Sequence, residues 1–308
     1  MRVFVTGASG WIGSALVPEL IGAGHRVLGL ARSAAAAAML TRAGAEVCRG
    51  RLDDLGILRG AAAESDGVIH LAFKRDLAFG GGTDVAAEAD RRAIDVFGEA
   101  LTGSGRPLVV AGGTLGLTPG RLATELDGQA VEGPDSREHD SRLANARAAI
   151  ALAERGVRSS VVRLAPSVHG DGDHGFLAQV VAVARERGLS GYLGDGANRW
   201  SAVHRSDAAR LLRLALENAP AGSTLHAVAD ESVPVRDIAE AVGRRLGLPT
   251  ASIPPHDAPR HFSWLAPLIG LDSPASSART RALLDWQPTG PGLLDDLEKG
   301  RYCADRAS

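Results

Sequence analysis

The sequence predicts an α/β protein built on a doubly wound parallel sheet, with a smaller C-terminal domain beside it. Three observations lead there. A short apolar strand, Val3–Thr6, runs straight into Gly7-x-x-Gly10-x-x-Gly13. The first half of the chain then alternates short apolar runs with helical stretches, the pattern of a parallel sheet covered on both faces. After Pro166 that alternation loosens into helices separated by Gly- and Pro-containing turns.

In order, strands are expected at Val3–Thr6, Arg26–Leu30, Ala45–Cys48, Gly67–Leu71, Leu108–Ala111 and Ser159–Leu164. Helices are expected between them at Trp11–Ile21, Ala34–Ala43, Asp54–Ala63, Thr83–Leu101 and Glu138–Arg155. The stretch 112–137 is rich in Gly, Thr, Asp and Pro and reads as a mobile loop beside the crevice at the strands' carboxyl ends. Further on, helices are expected at Gly175–Arg187, Asp207–Asn218 and Val235–Leu246, and a strand at Thr224–Val228.

The glycine spacing has a physical reading. Gly7 permits the tight turn off the first strand, Gly10 lets the backbone approach a pyrophosphate, and Gly13 lets the next helix pack close, with its N-terminal N–H groups facing the anion. This is a Rossmann-type dinucleotide turn, and Ser9, Trp11 and Ile12 are assigned to the cofactor along with the three glycines. The second strand ends Leu30-Ala31-Arg32-Ser33, without the carboxylate that binds ribose hydroxyls in NAD-dependent proteins. Arg32 can bind a 2′-phosphate bidentately and Ser33 can add a hydroxyl, so NADP(H) is favoured over NAD(H); the competing reading leaves Arg32 merely solvated.

Composition narrows the partners. With 308 residues, a net charge of −2 and a pI near 6.5, the chain has ample core and no basic footprint for nucleic acid or an anionic membrane. Its two cysteines, Cys48 and Cys303, give no disulfide framework. The chain starts in a strand, leaving no room for a signal peptide, and no apolar run approaches a membrane span. A cytoplasmic protein acting on a small molecule is expected, with no nucleic acid and no membrane among its partners.

Thr6-Gly7-x-x-Gly10-x-x-Gly13 at the N-terminus resembles the short-chain dehydrogenase/reductase superfamily, in particular its extended, epimerase/dehydratase-like branch. The resemblance runs on through Arg163-Leu164-Ala165-Pro166-Ser167-Val168-His169-Gly170, Val203-His204-Arg205-Ser206-Asp207 and a late Leu284-Asp285-Trp286-Gln287-Pro288, where Asp285 replaces a glycine. It implies a dinucleotide-binding domain over 1–165, completed by 204–229, and a mainly substrate-binding domain over 166–308. It also allows a homodimer. By the same resemblance Leu52, in Gly50-Arg51-Leu52-Asp53-Asp54, and Leu71, Ala72 and Phe73, after the fourth strand, lie against the cofactor; His70 reads as a core histidine.

The chain departs from the family where the chemistry is expected. The family works through Tyr-x-x-x-Lys, but here the tyrosines are Tyr192 and Tyr302 and the lysines Lys74 and Lys299. Gly196 and Arg306 stand four residues after the tyrosines, so the pair cannot form. Alignment of the corresponding helix places Arg142 near the expected lysine and Glu138 or His139 near the tyrosine. Arginine can hold ribose hydroxyls but cannot serve as an acid, whereas His139 can exchange a proton near neutrality. The alternative is an exposed Glu138–Arg142 pair with His139 in solvent. Gly112 and Gly113 occupy the place of the family's substrate-binding hydroxyl and could enlarge the pocket for a bulky substrate; Thr114 is the nearest hydroxyl. His169 replaces an aromatic beside the nicotinamide and is a further catalytic candidate. The alternation of His169, Asp171, Asp173 and His174 with glycines could wrap a cation, but the resemblance favours helix capping, and no metal is assigned. Trp200 is expected to line the substrate pocket.

The leading function is therefore an NADP(H)-dependent oxidoreductase reducing a small-molecule carbonyl or imine without the usual acid. A non-catalytic NADP(H)-binding sensor and a nucleotide-sugar epimerase/dehydratase are the alternatives.

Overall fold

The computed structural model describes residues 1–74, 82–128, 141–299 and 302. Strands β1 (Arg2–Thr6), β2 (Arg26–Ala31), β3 (Glu46–Arg49), β4 (Gly67–His70), β5 (Pro107–Gly113), β6 (Arg158–Leu164) and β10 (Ser223–Ala227) form one sheet in the order β10-β6-β5-β4-β1-β2-β3. Every pairing in it is parallel. The chain order reverses at β1, so the crevice opens where β1 and β4 diverge.

Strand alternation decides which helix goes where. Val3, Val5, Ile69, Val109 and Val162 face α1 (Gly13–Gly22), α2 (Ala34–Arg42) and α7 (Arg205–Asn218). Their neighbours Phe4, Val68, Leu108, Val110 and Val161 face α3 (Leu55–Ala63), α4 (Thr83–Leu101) and α5 (Ser141–Ala151). With both faces covered, the central strands carry apolar side chains on successive residues, Val3-Phe4-Val5, Val68-Ile69 and Leu108-Val109-Val110, as a doubly wound sheet requires.

The second lobe gathers α6 (Phe176–Arg187), α8 (Val235–Leu246), and a mixed sheet of β11 (Asp230–Pro234), β9 (Arg199–His204) and β7 (Ser167–His169). A parallel pair, β8 (Ser190–Leu193) with β12 (Thr250–Ile253), the short helices α9 (Ala258–Phe262) and α10 (Ala266–Ile269), and α12 (Leu293–Lys299) complete it. Its core holds Leu177, Val181, Trp200, Ile238, Phe262 and Leu297.

Two expectations are corrected. The first helix begins at Gly13, two residues later than expected, because residues 7–12 are consumed by turns that bring the Gly10 N–H to the Gly7 carbonyl at 2.9 Å. The segment 114–128 is pinned: the Gly116 N–H donates to Ser273 Oγ, Ala123 bridges Ala275, and Asp127 accepts from Thr124 and Arg121. Its polar residues make turns instead of leaving a free loop. Residues from 166 on also reach the first lobe, since Ala275, Leu284 of α11 (Ala278–Leu284) and Trp286 pack into its core. Trp286 Nε1 donates to the Asp207 carbonyl, and the Asp207 carboxylate receives the N–H groups of Thr289 and Gly290.

Candidate active site

The glycine turn is held by contacts that no side chain could share. Gly7 sits at φ +67°, and a Cβ there would lie 2.9 Å from the Ala72 nitrogen. A Cβ on Gly13 would lie 2.2 Å from the Gly7 carbonyl oxygen, and one on Gly10 at 3.1 Å from the same atom. Ile12, at the N-cap of α1, provides no side-chain acceptor for the first-turn N–H groups. The Ser14 and Ala15 N–H groups donate to the Gly10 and Ile12 carbonyls, so what fits a pyrophosphate here is the positive end of α1 and the side-chain-free backbone at an exposed Gly10.

At the end of β2, Arg32 is exposed and Ser33 is the N-cap of α2, its Oγ accepting from the Ala36 N–H at 3.1 Å. That capping role escaped the sequence reading, although Ser three residues before a helical N–H is its ordinary signal. The Ser33 hydroxyl proton remains able to donate outward. Leu71, Ala72 and Phe73 are half-buried beyond β4. Leu52, expected beside the cofactor, is 8% exposed and packs with Leu28, Leu30 and Leu58, so its side chain belongs to the core.

Beneath the turn runs a buried polar chain. The Ala72 N–H donates to Thr6 Oγ1, which lies 2.6 Å from His70 Nδ1; His70 Nε2 lies 3.1 Å from Asp90 Oδ1. Asn145 Nδ2 donates to Asp90 Oδ2 and to the Ala87 carbonyl. Nε2–H donates to the carboxylate, and either Thr6 Oγ1 or His70 Nδ1 can supply the proton of the short contact between them. Burial opposes ionisation of Asp90, but the hydrogen bond and charge of His70 and the hydrogen bond of Asn145 outweigh it and hold the carboxyl below its ordinary value. His70 is thus a core histidine, as expected. Asp90 and Asn145 were not legible, because they stand on two helices that meet only in the fold.

On the reacting side the guanidinium of Arg142, at the start of α5, lies 4.2 Å from the centre of the Phe73 ring, bringing two expected site residues together beyond β4. His139 lies outside the described residues. Gly113, at the end of β5, is exposed, and a Cβ there would meet nothing nearer than the Leu164 oxygen at 3.9 Å. Thr114 turns away from that opening: it is 1% exposed, its hydroxyl near the Leu164 carbonyl and Ser201 Oγ. Trp200 is buried rather than lining a pocket, with Nε1 donating to the Leu271 carbonyl.

His169 is also fully buried. Its Nδ1 pairs with Asp296 on α12 at 2.8 Å, its ring meets His204 edge-on at 5.5 Å, and Nε2 has no hydrogen-bond partner among the described residues. His174 points elsewhere, edge-on to Trp11 at 5.6 Å, while Asp173 accepts from the Gly175 N–H before α6. Among the described residues no three His, Cys, Asp or Glu side chains converge on a cation site. Burial and the neighbouring His169 hold His204 below its ordinary pKa. Trp11 itself is fastened, with Nε1 donating to the Val168 carbonyl and the Arg205 guanidinium 4.1 Å over its ring, so the glycine turn is tied to the second lobe.

The model of the NAD dependent epimerase/dehydratase family matches residues 3–228. The chain belongs to that family. Among members of known sequence, it is 44% identical over 302 residues to the uncharacterized protein YLL056C of Saccharomyces cerevisiae, covering 96% of this chain and 98% of that one. It is 30% identical over 319 residues to a 3-diazoavenalumate denitrifying reductase of a Streptomyces species, covering 96% and 99%. In structure it resembles the dTDP-glucose 4,6-dehydratase of Streptomyces venezuelae, solved with NAD bound, with a TM-score of 0.78, 20% identity and coverage of 99% and 98%. For this epimerase/dehydratase-family chain, the structural likeness speaks to the fold.

Proposed function

We propose that this epimerase/dehydratase-family protein is an NADP(H)-dependent oxidoreductase that reduces a small-molecule carbonyl or imine without a tyrosine acid. The observation that carries the cofactor reading is the end of β2. Arg32 and the Ser33 hydroxyl flank the N-terminus of α2, a site for a 2′-phosphate, and no carboxylate stands there to repel it. Bound NADPH supplies a hydride to the substrate. Arg142, stacked on Phe73, is placed to hold ribose hydroxyls and to bring positive charge toward the reacting centre, but it keeps its own proton. The missing acid favours an electrophile that arrives already cationic, such as a protonated imine. The relative that reduces a diazo compound, another nitrogen electrophile, supports that reading.

Calorimetric titration with NADPH and NADH tests the cofactor. NADPH is expected to bind at least tenfold more tightly than NADH, and Arg32→Ala to remove that advantage, since a charge-assisted hydrogen bond contributes roughly 1.5–3 kcal/mol. A preference for NADH would sink the assignment. NADPH binding without turnover of any carbonyl or imine in a broad panel would favour the second reading, a non-catalytic NADP(H) sensor, which the absent Tyr/Lys pair also supports.

A further inference from the structure

At the β10 edge of the main sheet lies a buried cation without a carboxylate of its own. Arg163, on β6, is 3% exposed, and arginine is almost never buried so deeply unless paired. Its Nη1 donates to the Asp127 carbonyl at 2.6 Å, while Nε and Nη2 have no hydrogen-bond partner among the described residues. The nearby carboxylates are engaged elsewhere. Asp127 accepts from Arg121 and Thr124, and Glu125 Oε1 accepts from both the N–H and the hydroxyl of Thr280. Burial opposes the charge of Arg163. Asp127 and Glu125 offset this only through space, and the neighbouring cation Arg147 adds to the opposition.

Arg163 and Arg147 line one cleft of about 170 Å³ between α5 and β10. Leu225 and Ala227 of β10 enter the core under α1 and α7, so by alternation Thr224 faces the α5 side, into the cleft. On α5, Arg147 donates through Nε to the Gly128 carbonyl at 3.3 Å, and its two Nη groups have no partner among the described residues. The two guanidiniums thus hold adjacent carbonyls while lining the same space. Glu154, in the turn after α5, is the one carboxylate among the described lining residues. It is exposed to water, and the lining keeps a net positive charge.

We propose that Arg163, Arg147 and Thr224 form a binding site for a small oxyanion, a phosphate or carboxylate group. A guanidinium fork matches either group bidentately, and the Thr224 hydroxyl adds a donor. The cleft is smaller than the roughly 300–1,000 Å³ of sites for drug-sized ligands, so the ligand is a small anion rather than a nucleotide. An anion there supplies the counter-charge that Arg163 lacks. The site is independent of the reductase reading, since it lies at the sheet edge, away from the glycine turn and Arg32.

The test is calorimetric titration of the full-length protein with inorganic phosphate and, separately, with acetate, at constant ionic strength made up with chloride. One equivalent of at least one of the two is expected to bind with a Kd below about 1 mM. The tighter of the two identifies the ligand as a phosphate or a carboxylate. Arg147→Gln should weaken that binding about tenfold or more, and Glu154→Gln should strengthen it about threefold by removing the like charge. Arg32→Ala should leave it unchanged, which separates this site from the one proposed for the 2′-phosphate. Arg147 is half-buried and Glu154 exposed, so both variants are expected to fold, and unchanged melting temperatures without anion check this. Absence of binding of either anion up to about 20 mM, or binding indifferent to Arg147→Gln, overturns the proposal.

Discussion

The two sides of the crevice are built on different principles. On the dinucleotide side, the backbone does the work: a Cβ on Gly7, Gly10 or Gly13 would lie 2.2–3.1 Å from backbone atoms, and the polar chain Thr6–His70–Asp90–Asn145 holds the Ala72 N–H against Gly7 from below. On the reacting side, side chains would have to do the work, and those the family relies on are gone. Thr114 and His169 are turned into the interior, and Arg142 lies against Phe73. A site can thus keep its cofactor cradle intact while its acid is lost, because the cradle depends on missing side chains and the acid on a present one.

The largest effect should come from filling the cradle. Gly13→Ala pushes a methyl group into the Gly7 carbonyl and is expected to abolish measurable NADPH binding by calorimetry, with destabilisation of about 3 kcal/mol or more in urea melts. Tight NADPH binding by that variant would mean that the turn opens freely, erasing the contrast.

Next in size is the buried chain beneath it. Asp90→Ala leaves His70 Nε2 and Asn145 Nδ2 with a lost partner and should cost about 3 kcal/mol, with weaker NADPH binding through the loosened Ala72 contact. Asp90 is held below its unfolded value of 3.8, so its contribution is complete above that pH and lost as pH falls through the lower folded value. Denaturant melts of wild type and variant should therefore converge in acid. A constant gap down to pH 2 would show that packing, not charge, is responsible.

A smaller, pH-dependent effect is expected at the far edge of the sheet. There His226 on β10 bonds the Ser276 carbonyl through Nδ1, and burial lowers its pKa to about 4. Beside it, burial lowers Arg163 to about 10, while its guanidinium donates to the Asp127 carbonyl. Since unfolded histidine titrates near 6.5, protons favour the unfolded chain between those values. Stability should be full above pH 6.5 and fall toward pH 4, by at most about 1.4 kcal/mol per pH unit from this residue. In denaturant melts the stability difference between wild type and His226→Gln should be constant above pH 6.5 and change with pH only below it.

The smallest effect sharpens the reacting side. Arg142→Ala removes an exposed cation–π contact of about 0.5–1 kcal/mol with Phe73. It should leave the melting temperature nearly unchanged and weaken NADPH binding about threefold. A larger loss confined to turnover would place Arg142 closer to the chemistry than to the ribose.

The sequence by itself determined the parallel sheet, the dinucleotide turn and the loss of the Tyr/Lys pair. Each is written in local spacing or in composition: glycines at 7, 10 and 13 carry their own steric meaning, and an absent residue needs no fold to be missed. It also marked His70 as a core residue, though not its partners. Only the tertiary structure decided which side chains face the crevice. Thr114 and His169 read as catalytic candidates, and Trp200 as a wall of the pocket; Ser201, Asp296 and Leu271, distant in sequence, claim them or their polar atoms. Strand and helix periodicity is a property of neighbours, whereas burial of a polar side chain depends on where its partner arrives, which pairings across the whole chain decide.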